Sequence, residues 1–473
     1  MIKFGTGGWR AIIADEFTKA NLQLLCTGLC RMMRDEGLAE KSVCIGYDRR
    51  FLSRESARWA AEVFAGFGVP CRVLDREAPT PLIMFTVKLY GLPYGLAVTA
   101  SHNPAIYNGV KLFTAGGRDA EEGVTRRLEG YIEAAAPADV RILPYEQGLA
   151  AGLIEEINPQ NAYIDSILSL VDVEAIKAAR LKIAFDPMFG VSQTSLRTIL
   201  LTARCEVLAI HERHDTLFGG RLPAPNVETL NSLSGFVMEN NCDIGIATDG
   251  DADRIGVIDD KGAFVHPNHL LVLLYYYLMQ YRGWRGAAVR NNSTTHLLDR
   301  VAEGYGEVCY EVPVGFKHIS SKMEEVGAII GGESSGGLTV KGHIRGKDGI
   351  YAAALLAEMM AKTGKRLSEL YREITDRFGE VYTAEAELAL TPGRKAALQR
   401  RLLEEKELPR FPFEIQKVSY LDGCKVYFAN GGWAVARFSG TEPLLRLCSE
   451  MASQADAETC IGLFRMMLEG EAA

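Results

Sequence analysis

The sequence predicts an α/β protein with three related mixed-sheet α/β domains followed by a smaller C-terminal α+β domain. Its 473 residues are too many for one hydrophobic core, and about 150 residues per domain gives three or four domains. Short apolar segments alternate with amphipathic helical segments over the first 370 residues, which is typical of sheets with crossover helices. Beyond residue 370 the pattern changes, and over residues 381–390 apolar side chains alternate with polar ones, which indicates an antiparallel sheet with one wet face.

The predicted elements divide the chain into four segments. Residues 1–157 have helical periodicity over 17–33 and 56–67 and short apolar strands at 43–47, 71–74 and 94–98. The same alternation returns in residues 158–259, with strands predicted at 181–185, 205–210, 242–248 and 255–258. Residues 260–372 contain a buried helix at 270–279 and strands at 287–290 and 326–330. The last segment, 373–473, contains an alternating strand at 381–390 and a strand pair at 433–438 and 444–448.

Composition and charge exclude several classes of protein. The net charge of −8 gives no basic surface for nucleic acid or an anionic membrane, so neither partner is expected. The longest apolar segment, residues 270–279, is shorter than the roughly 20 residues that span a bilayer, and no signal peptide is visible. Ten cysteines without a CxxC pair predict neither a disulfide framework nor a zinc site. We expect a soluble cytoplasmic protein, a monomer or homodimer, that acts on a small molecule.

The segment Thr-Ala-Ser-His-Asn-Pro at residues 99–104 directly follows the predicted strand at 94–98. A strand that ends in small polar residues and proline leads into a tight turn that presents its side chains. Ser101 in this turn is typical of a displayed nucleophile, and Lys111 follows ten residues later, near enough to share the site. The alternative is that Ser101 only caps a following helix.

Asp249, Asp251 and Asp253 alternate at the end of the predicted strand 242–248. On an extended backbone the three carboxylates point to one side, where a hard divalent cation such as Mg²⁺ relieves their repulsion. Arg254 follows directly and suits a phosphate oxygen. An EF-hand calcium loop is disfavoured, because its sixth position requires glycine where this chain has Arg254 and because strands flank the segment. A solvated acidic turn is the other alternative.

Two further segments are rich in groups that bind phosphate. Residues 437–446 place donors around one tight loop, in Arg437, Ser439, Gly440, Thr441 and Arg446. A turn that only connects two strands needs no arginine at each end, so we expect a phosphate-binding loop. The N-terminal segment Phe-Gly-Thr-Gly-Gly-Trp-Arg at 4–10 offers glycine amides and Arg10, with a flexible terminal loop as the alternative.

Residues 331–337 combine a carboxylate and hydroxyl groups with four glycines. Glu333 and Ser335 suit the vicinal hydroxyls of a sugar, because the glycine backbone allows a ligand to approach closely. Lys317 supplies a second charge nearby. A plain glycine-rich turn is the alternative.

These motifs occur together in an order that resembles the α-D-phosphohexomutase family. The segments at 99–104, 249–254, 332–336 and 437–443 carry the similarity, with the opening at 4–10 in addition. The match extends over essentially the whole chain, and four ordered motifs at family-like spacing are far more specific than any one of them.

The resemblance implies four domains around a central cleft, with one functional loop from each. Ser101 would carry a phosphoryl group, and Mg²⁺ would be held by Asp249, Asp251, Asp253 and an oxygen of the phosphorylated Ser101. Arg10, His102 and Lys111 resemble the family's proton-handling and phosphate-orienting residues, and which of them is the general base stays open. The implied substrate-binding residues are Arg254, Lys317, Glu333, Ser335, Arg437, Ser439, Gly440, Thr441 and Arg446.

The resemblance also implies a reaction in which Ser101 phosphorylates one end of a hexose monophosphate and the 1,6-bisphosphate returns the other phosphate. Members with dual glucose and mannose specificity often have His where this chain has Gly337, and the phosphoglucosamine branch usually reads Gly-Glu-Gln-Ser-Gly-His here. The loop is more similar to the phosphoglucomutase branch, so we expect glucose phosphate as substrate and glucose 1,6-bisphosphate as activator and intermediate. The alternatives are a phosphomannomutase or dual-specificity enzyme, a bisphosphate-forming transferase and a non-catalytic sugar-phosphate-binding protein.

Overall fold

The computed structural model describes residues 2–5, 7–439 and 444–469, and within them four β-sheets follow one another along the chain. The first three sheets mix parallel and antiparallel strands and carry helices, whereas the fourth is antiparallel throughout. The predicted fold class, three similar α/β units followed by an α+β unit, is therefore confirmed.

The first sheet has seven strands. They are β1 (Trp9–Ile12), β2 (Val43–Tyr47), β3 (Cys71–Leu74), β4 (Tyr94–Val98), β5 (Tyr107–Thr114), β6 (Arg118–Asp119) and β7 (Ile154–Ile157). Its helices are α1 (Lys19–Asp35), α2 (Ser53–Gly66), α3 (Thr80–Leu89), α4 (Glu122–Glu133) and α5 (Tyr145–Ala150). The strand order is β1-β5-β4-β2-β3-β7, with β6 paired to β5. Because β4 and β5 are adjacent and antiparallel, the loop between them lies at the edge where β2 and β4 also end.

The second sheet has the order β12-β11-β10-β8-β9. Its strands are β8 (Lys182–Asp186), β9 (Glu206–Ala209), β10 (Ile244–Thr248), β11 (Ile255–Ile258) and β12 (Phe264–Val265). The accompanying helices are α6 (Gln160–Leu170), α7 (Val173–Ala179), α8 (Gln193–Thr202) and α9 (Asn231–Asn240). The hairpin between β10 and β11 carries the aspartates singled out above.

The third sheet has the order β14-β13-β15-β16. Its strands are β13 (Ala288–Asn291), β14 (Cys309–Val312), β15 (Ile330–Gly332) and β16 (Leu338–Val340). The helices are α10 (Pro267–Gln280), α11 (Leu297–Gly304), α12 (Phe316–Val326), α13 (Gly349–Thr363) and α14 (Leu367–Phe378). The glycine-rich segment 331–337 connects β15 to β16.

The fourth sheet has the order β17-β21-β20-β19-β18. Its strands are β17 (Tyr382–Ala389), β18 (Ile415–Ser419), β19 (Cys424–Phe428), β20 (Trp433–Phe438) and β21 (Leu444–Met451). Two helices, α15 (Pro392–Gln399) and α16 (Gln454–Glu469), belong to this unit. The predicted loop at 437–446 joins β20 to β21.

One hydrophobic cluster is shared by the first three units, each of which also has a smaller cluster of its own, and the fourth unit has a separate cluster. One cluster joins buried side chains of all three units, from Leu82 on α3 through Phe185 on β8 to Leu274 on α10. Helix α13, which is buried over most of its length, packs against α7, α8 and α10 within this cluster. The fourth unit has its own cluster, centred on α16 and the inner face of its sheet. Apolar burial therefore fixes the first three units relative to one another.

The fourth unit meets the third mainly through polar groups. The buried ammonium of Lys425 on β19 donates to the backbone oxygen of Asn292 at 2.6 Å and to Glu311 Oε2 at 2.7 Å. Nearby, the backbone N–H of His296 donates to Glu450 Oε1 at 2.8 Å. These hydrogen bonds require specific partners at fixed positions, so the junction between the two units is specific.

Three local predictions differ from the structure. The predicted strand 326–330 is wrong at its start, because α12 continues to Val326 and ends at the left-handed Gly327 before β15 begins at Ile330. The segment around Lys111, expected in a loop, belongs to β5. Trp9 and Arg10, expected to belong to a phosphate-binding or flexible loop at 4–10, lie in β1. Local apolar patterns did not reveal these because long-range strand pairing decides them.

Among the described residues, no helix combines the length and apolarity needed to cross a bilayer.

The contact between β1 and β5 gives the first prediction. Gly109 lies opposite Arg10, and a Cβ added at Gly109 would come within 2.1 Å of the backbone oxygen of Trp9. We expect Gly109→Ala to force the strands apart and to lower the free energy of unfolding by about 1–3 kcal/mol. Gly130→Ala on the exposed face of α4 is the control, with an expected gain of about 0.5–1 kcal/mol. Thermal unfolding of both variants measures this, and equal midpoints would contradict it.

Candidate active site

Ser101 lies in a sharp turn between β4 and β5. Its backbone is left-handed, with φ +53°, a conformation that is uncommon for a residue with a side chain. The hydroxyl donates a 2.8 Å hydrogen bond to Asp249 Oδ2 and lies 3.3 Å from His102 Nδ1. In the described loop no helix follows Ser101 before β5, so the helix-cap alternative does not apply. The fold thus joins two motifs that are 148 residues apart.

Asp249, Asp251 and Asp253 form one buried cluster, and one carboxylate oxygen of each lies within 4.8 Å of the others. The expected extended backbone is wrong: Ala252 is left-handed at φ +63°, and its N–H donates to the backbone oxygen of Asp249 in a tight turn. Burial and the charges of Asp251 and Asp253 raise the pKa of Asp249 to about 8. This turn, and not strand alternation, brings the carboxylates together.

The cluster has the donor atoms that a hard divalent cation requires. Oδ1 of Asp251 and Oδ1 of Asp253 are buried, and neither accepts a hydrogen bond within the described part of the chain. Buried carboxylate oxygens are ordinarily satisfied, so these two atoms indicate a missing partner. Carboxylate oxygens beside a serine oxygen are the ligand type that Mg²⁺ and Ca²⁺ prefer. The residues present therefore fit a bound cation.

Lys111 compensates part of the negative charge. Its Nζ lies 2.6 Å from Oδ2 of Asp251 and 2.6 Å from Oδ2 of Asp253. Burial opposes the ammonium charge, but the two carboxylates outweigh burial and raise the pKa of Lys111 above its usual range. Thr80, which sequence reasoning missed, also donates to Asp251 Oδ2, at 2.6 Å. Both donors use the Oδ2 atom of Asp251, which leaves its Oδ1 for a cation.

Two guanidinium groups and a neutral imidazole border this cluster. Arg254 Nε lies 3.9 Å from Asp253 Oδ1, and Arg10 Nη1 donates to Asn103 Oδ1 at 2.5 Å. Burial and the charge of Arg254 lower the pKa of Arg10. Burial and the same two arginines hold the pKa of His102 well below its usual range, so His102 is neutral at neutral pH.

Lys347 belongs to the same cluster and was not predicted. Its Nζ lies 3.0 Å from Asp253 Oδ2. Its aliphatic chain crosses Gly337, where an added Cβ would lie 2.2 Å from Lys347 Cδ. The sequence signal was Gly-Lys-Asp-Gly at 346–349, directly before the apolar helix α13 that Asp348 caps. Asp119 of β6 was also missed; burial raises its pKa, while Lys347 and Lys111 oppose that effect.

The predicted sugar-recognition residues lie on the third unit. Glu333 accepts hydrogen bonds from Asn291 Nδ2 at 3.1 Å and from the Gly315 N–H at 3.2 Å, and both fall on Oε1. Ser335 is exposed on the same loop. Lys317, at the start of α12, forms an ion pair with Glu122 of α4 at 3.9 Å, across the gap between the first and third units.

The predicted sugar-recognition loop, residues 331–337, is joined through the backbone to the aspartate turn, residues 249–253. Gly337 pairs with Arg254 in an isolated antiparallel β-bridge. The N–H of Ile255 donates to the backbone oxygen of Gly336 at 3.1 Å. A shift of one loop therefore moves the other.

The predicted phosphate-binding loop lies on the fourth unit. Arg437 and Arg446 are cross-strand partners, so their side chains share one face of the sheet. Arg446 Nε lies 3.0 Å from Glu387 Oε1. Burial lowers the pKa of Arg437, and the charges of Asp422 and Glu333 oppose this shift.

Ser439 follows β20 and is buried, and its backbone oxygen accepts from Lys395 Nζ at 3.2 Å. Lys395 is a further cation that sequence reasoning missed. Gly440 and Thr441 lie outside the described residues. The described arrangement can neutralise an anion such as a phosphate dianion between β20 and β21.

Comparison with known proteins identifies relatives of the whole chain. Models of phosphoglucomutase/phosphomannomutase α/β/α domains I, II and III match residues 1–139, 161–262 and 266–378, and the model of the C-terminal domain matches 397–462. A phosphoglucomutase/phosphomannomutase of Thermococcus kodakarensis is 30% identical over 470 residues, 98% of each chain. A phosphoglucosamine/phosphogalactosamine mutase of Sulfurisphaera tokodaii is 28% identical over 481 residues, 99% of each chain.

A solved structure shows the same fold. It is a phosphoglucomutase/phosphomannomutase family protein of Burkholderia thailandensis, which is 23% identical and aligns with a TM-score of 0.84 over 100% of this chain and 98% of that one.

The Lys111 contacts predict a metal-dependent stability. In metal-free buffer with EDTA, Lys111→Met removes the ammonium that bridges two buried carboxylates, of which Asp253 keeps its contact with Lys347, and should lower the free energy of unfolding by about 3–5 kcal/mol. Added Mg²⁺ should restore part of the loss, because the cation supplies positive charge to the same oxygens. Thermal unfolding with and without Mg²⁺ measures both effects. Lys341→Met, at an exposed lysine of the third unit, is the control, and equal midpoints for the two variants in EDTA would contradict the assignment.

Proposed function

Because the chain belongs to the α-D-phosphohexomutase family and is thus a phosphosugar-isomerising enzyme, we propose that it interconverts glucose 1-phosphate and glucose 6-phosphate. The observation that carries the proposal is the contact of the Ser101 hydroxyl with Asp249, inside a cluster that also contains Lys111 and Arg254. A serine placed among carboxylates and cations in this way suits the donation and acceptance of a phosphoryl group.

The proposed chemistry consists of two phosphoryl transfers in opposite directions. First, a sugar hydroxyl oxygen bonds to the phosphorus on Ser101 as the bond between phosphorus and Oγ breaks. The hydroxyl proton passes to a basic group of the site, and Oγ takes up a proton from the site. The product of this step is glucose 1,6-bisphosphate. After the bisphosphate turns over, Oγ gives its proton to the site and bonds to the other phosphorus, the bond from that phosphorus to the sugar oxygen breaks, and the sugar oxygen regains a proton.

The residues around Ser101 divide this work. Arg10, Lys111 and Arg254 offset the charge on the phosphoryl oxygens as it is redistributed. His102, neutral and 3.3 Å from Ser101 Oγ, is able to exchange a proton at that oxygen. The three groups that resemble the family's proton-handling residues, Arg10, His102 and Lys111, thus all lie near the nucleophile.

We further propose that Mg²⁺ binds to Asp249, Asp251, Asp253 and an oxygen of the phosphorylated Ser101. The two unsatisfied Oδ1 atoms support this assignment. Bound Mg²⁺ would supply positive charge to the transferring phosphoryl group.

Substrate recognition is proposed to come from the third and fourth units. Both hydrogen bonds that Glu333 accepts within the described part of the chain fall on Oε1, so we assign Oε2, with Ser335, to the sugar hydroxyls, and Lys317 to the sugar phosphate. The distal phosphate is assigned to Arg437, Ser439, Gly440, Thr441 and Arg446. The preference for glucose rests on Gly337, which has no side chain to contact a sugar and whose space Lys347 crosses.

Mannose phosphate and amino-sugar phosphates are second candidates because of the names of two relatives. The Thermococcus kodakarensis relative is named for both glucose and mannose phosphates, and the Sulfurisphaera tokodaii relative for glucosamine and galactosamine phosphates.

We also infer a reducing cytoplasmic location, in agreement with ten cysteines that are all free thiols in the structure.

A parallel mutase assay tests the substrate. The α-1-phosphates of glucose, mannose, glucosamine and N-acetylglucosamine are compared with Mg²⁺ and a trace of the matching bisphosphate. We expect kcat/KM for glucose 1-phosphate to exceed the others by about tenfold, roughly 1.4 kcal/mol of transition-state discrimination. Comparable rates with mannose would make the enzyme a dual-specificity mutase, and a preference for glucosamine would contradict the glucose assignment.

Replacement of the nucleophile tests the mechanism. Ser101→Ala removes the oxygen that accepts the phosphoryl group, so we expect mutase activity to fall by about 10⁴-fold or more, the scale seen when a covalent nucleophile is deleted. Binding of glucose 1-phosphate, followed by calorimetry, should survive because the third and fourth units are unchanged. Full activity in this variant would overturn the phosphoserine mechanism, and steady accumulation of bisphosphate by the wild type would point to a bisphosphate-forming transferase.

A further inference from the structure

The left-handed backbone of Ser101 must be held by its surroundings. A residue with a side chain persists in this conformation only where neighbouring groups fix it. The groups that do so come from the segment 48–50, which directly follows β2. Neither Asp48 nor Arg50 was singled out by sequence reasoning, because both lie about fifty residues before the turn that they contact.

Arg50 binds the Ser101 loop at four backbone oxygens. Its Nη2 donates to Ser101 O and Asn103 O, each at 2.7 Å. Its Nη1 donates to Pro104 O at 2.9 Å and to Tyr107 O at 3.0 Å. The guanidinium plane thus spans the loop from the nucleophile to the first residue of β5, with two bonds from each terminal nitrogen. A rigid planar fork is suited to such a contact, and a lysine ammonium is not.

Asp48 completes the same arrangement from the other side. Its Oδ1 accepts from the Arg50 N–H at 2.9 Å, and its Oδ2 accepts from Thr99 Oγ1 at 2.6 Å. Thr99 Oγ1 in turn accepts from the Ser101 N–H at 2.8 Å. The N–H and the C=O of Ser101 are therefore both tied to this pair, one through Thr99 and one directly to Arg50.

The pair is enclosed by the second unit of the protein. The side chain of Arg50 is completely buried, and the ring of Phe218 lies over its guanidinium at 4.9 Å. Asp48 supplies the opposite charge that so buried a guanidinium requires, with Arg50 Nε 3.3 Å from Asp48 Oδ2. The bond from Arg50 to the Ser101 oxygen is itself buried.

We propose that Arg50, supported by Asp48, is a positioning residue for phosphoryl transfer that fixes Ser101 Oγ against Asp249. On the Ser101 loop Arg50 donates to backbone oxygens, which are the same whether Ser101 carries a hydroxyl or a phosphate. It therefore holds Oγ at one place for both transfers, as donor and as acceptor. The inference rests on the proposed function only in taking Ser101 as the phosphorylated residue.

Arg50→Lys separates positioning from simple stabilisation. The lysine keeps the buried charge opposite Asp48, so we expect a nearly native thermal midpoint, but it cannot make all four bonds. We expect kcat to fall by about 100-fold, the cost of a nucleophile that is slightly misplaced. KM for the sugar phosphate should stay unchanged, because the third and fourth units are intact.

Arg49→Lys is the matched control. Arg49 is the neighbouring buried arginine, and it donates to Glu212 O at 3.1 Å and Gln193 Oε1 at 2.6 Å rather than to the Ser101 loop. We expect its kcat to equal that of the wild type. A native midpoint with wild-type kcat in Arg50→Lys would overturn the proposal.

A second pair of variants decides the matter if Arg50→Lys does not fold. Thr99→Val keeps the shape of the side chain but removes the hydroxyl between Asp48 and the Ser101 N–H. We expect a kcat about tenfold below that of the wild type, and recovery of most of this loss in Thr99→Ser. Equal kcat in Thr99→Val and the wild type would contradict the positioning role.

A direct phosphorylation assay distinguishes failure of this inference from failure of the proposed function. If the wild type turns over no hexose phosphate, the glucose assignment fails, and the variants are then compared by intact mass during incubation with glucose 1,6-bisphosphate. Slower phosphorylation of Ser101 in Arg50→Lys than in Arg49→Lys supports the positioning role, and equal rates overturn it. No phosphorylation in any variant would overturn both.

Discussion

Repulsion among three buried carboxylates is the constraint on which the rest of the structure depends. Asp249, Asp251 and Asp253 have almost no access to water, so their charge must be balanced by groups of the protein or by a cation. The balancing groups come from different units: Lys111 from the first sheet and Lys347 from the third. Charge balance at the aspartate cluster thus requires the first three units to meet there. The shared apolar core keeps these units together.

The need for charge balance at the aspartates also explains Gly337, whose lack of a side chain would otherwise be attributed to sugar recognition. Lys347 reaches Asp253 only by passing over the Cα atom of Gly337, where any side chain would collide with it. Gly337 also pairs with Arg254, so the backbone that carries the sugar-recognition loop is attached to the turn that carries the aspartates. The residue at 337 therefore affects both the path of Lys347 to the aspartates and the backbone link between the two loops.

Much of the fold could be predicted from the sequence, because apolar segments bounded by polar turns mark strands such as β2, β3 and β4 wherever burial on both faces is complete. Ser101 and the aspartates were visible for the same reason: each directly follows a buried strand. Arg50 and Lys347 could not be predicted, because the role of a single cation depends on partners that are far away in sequence. The turn at Ala252 was missed because a left-handed residue leaves no mark in an apolar pattern.

The separate hydrophobic core of the fourth unit has a thermodynamic consequence. A unit with its own core is expected to open without unfolding its neighbours, so we expect two regions of cooperativity in the chain. Arg437 belongs to one region and Glu333 to the other. A ligand that contacts both contributes its binding free energy to their association, so occupancy and the coupling of the two regions rise together. The ligand concentration then determines how strongly the unfolding of the fourth unit is coupled to the unfolding of the first three.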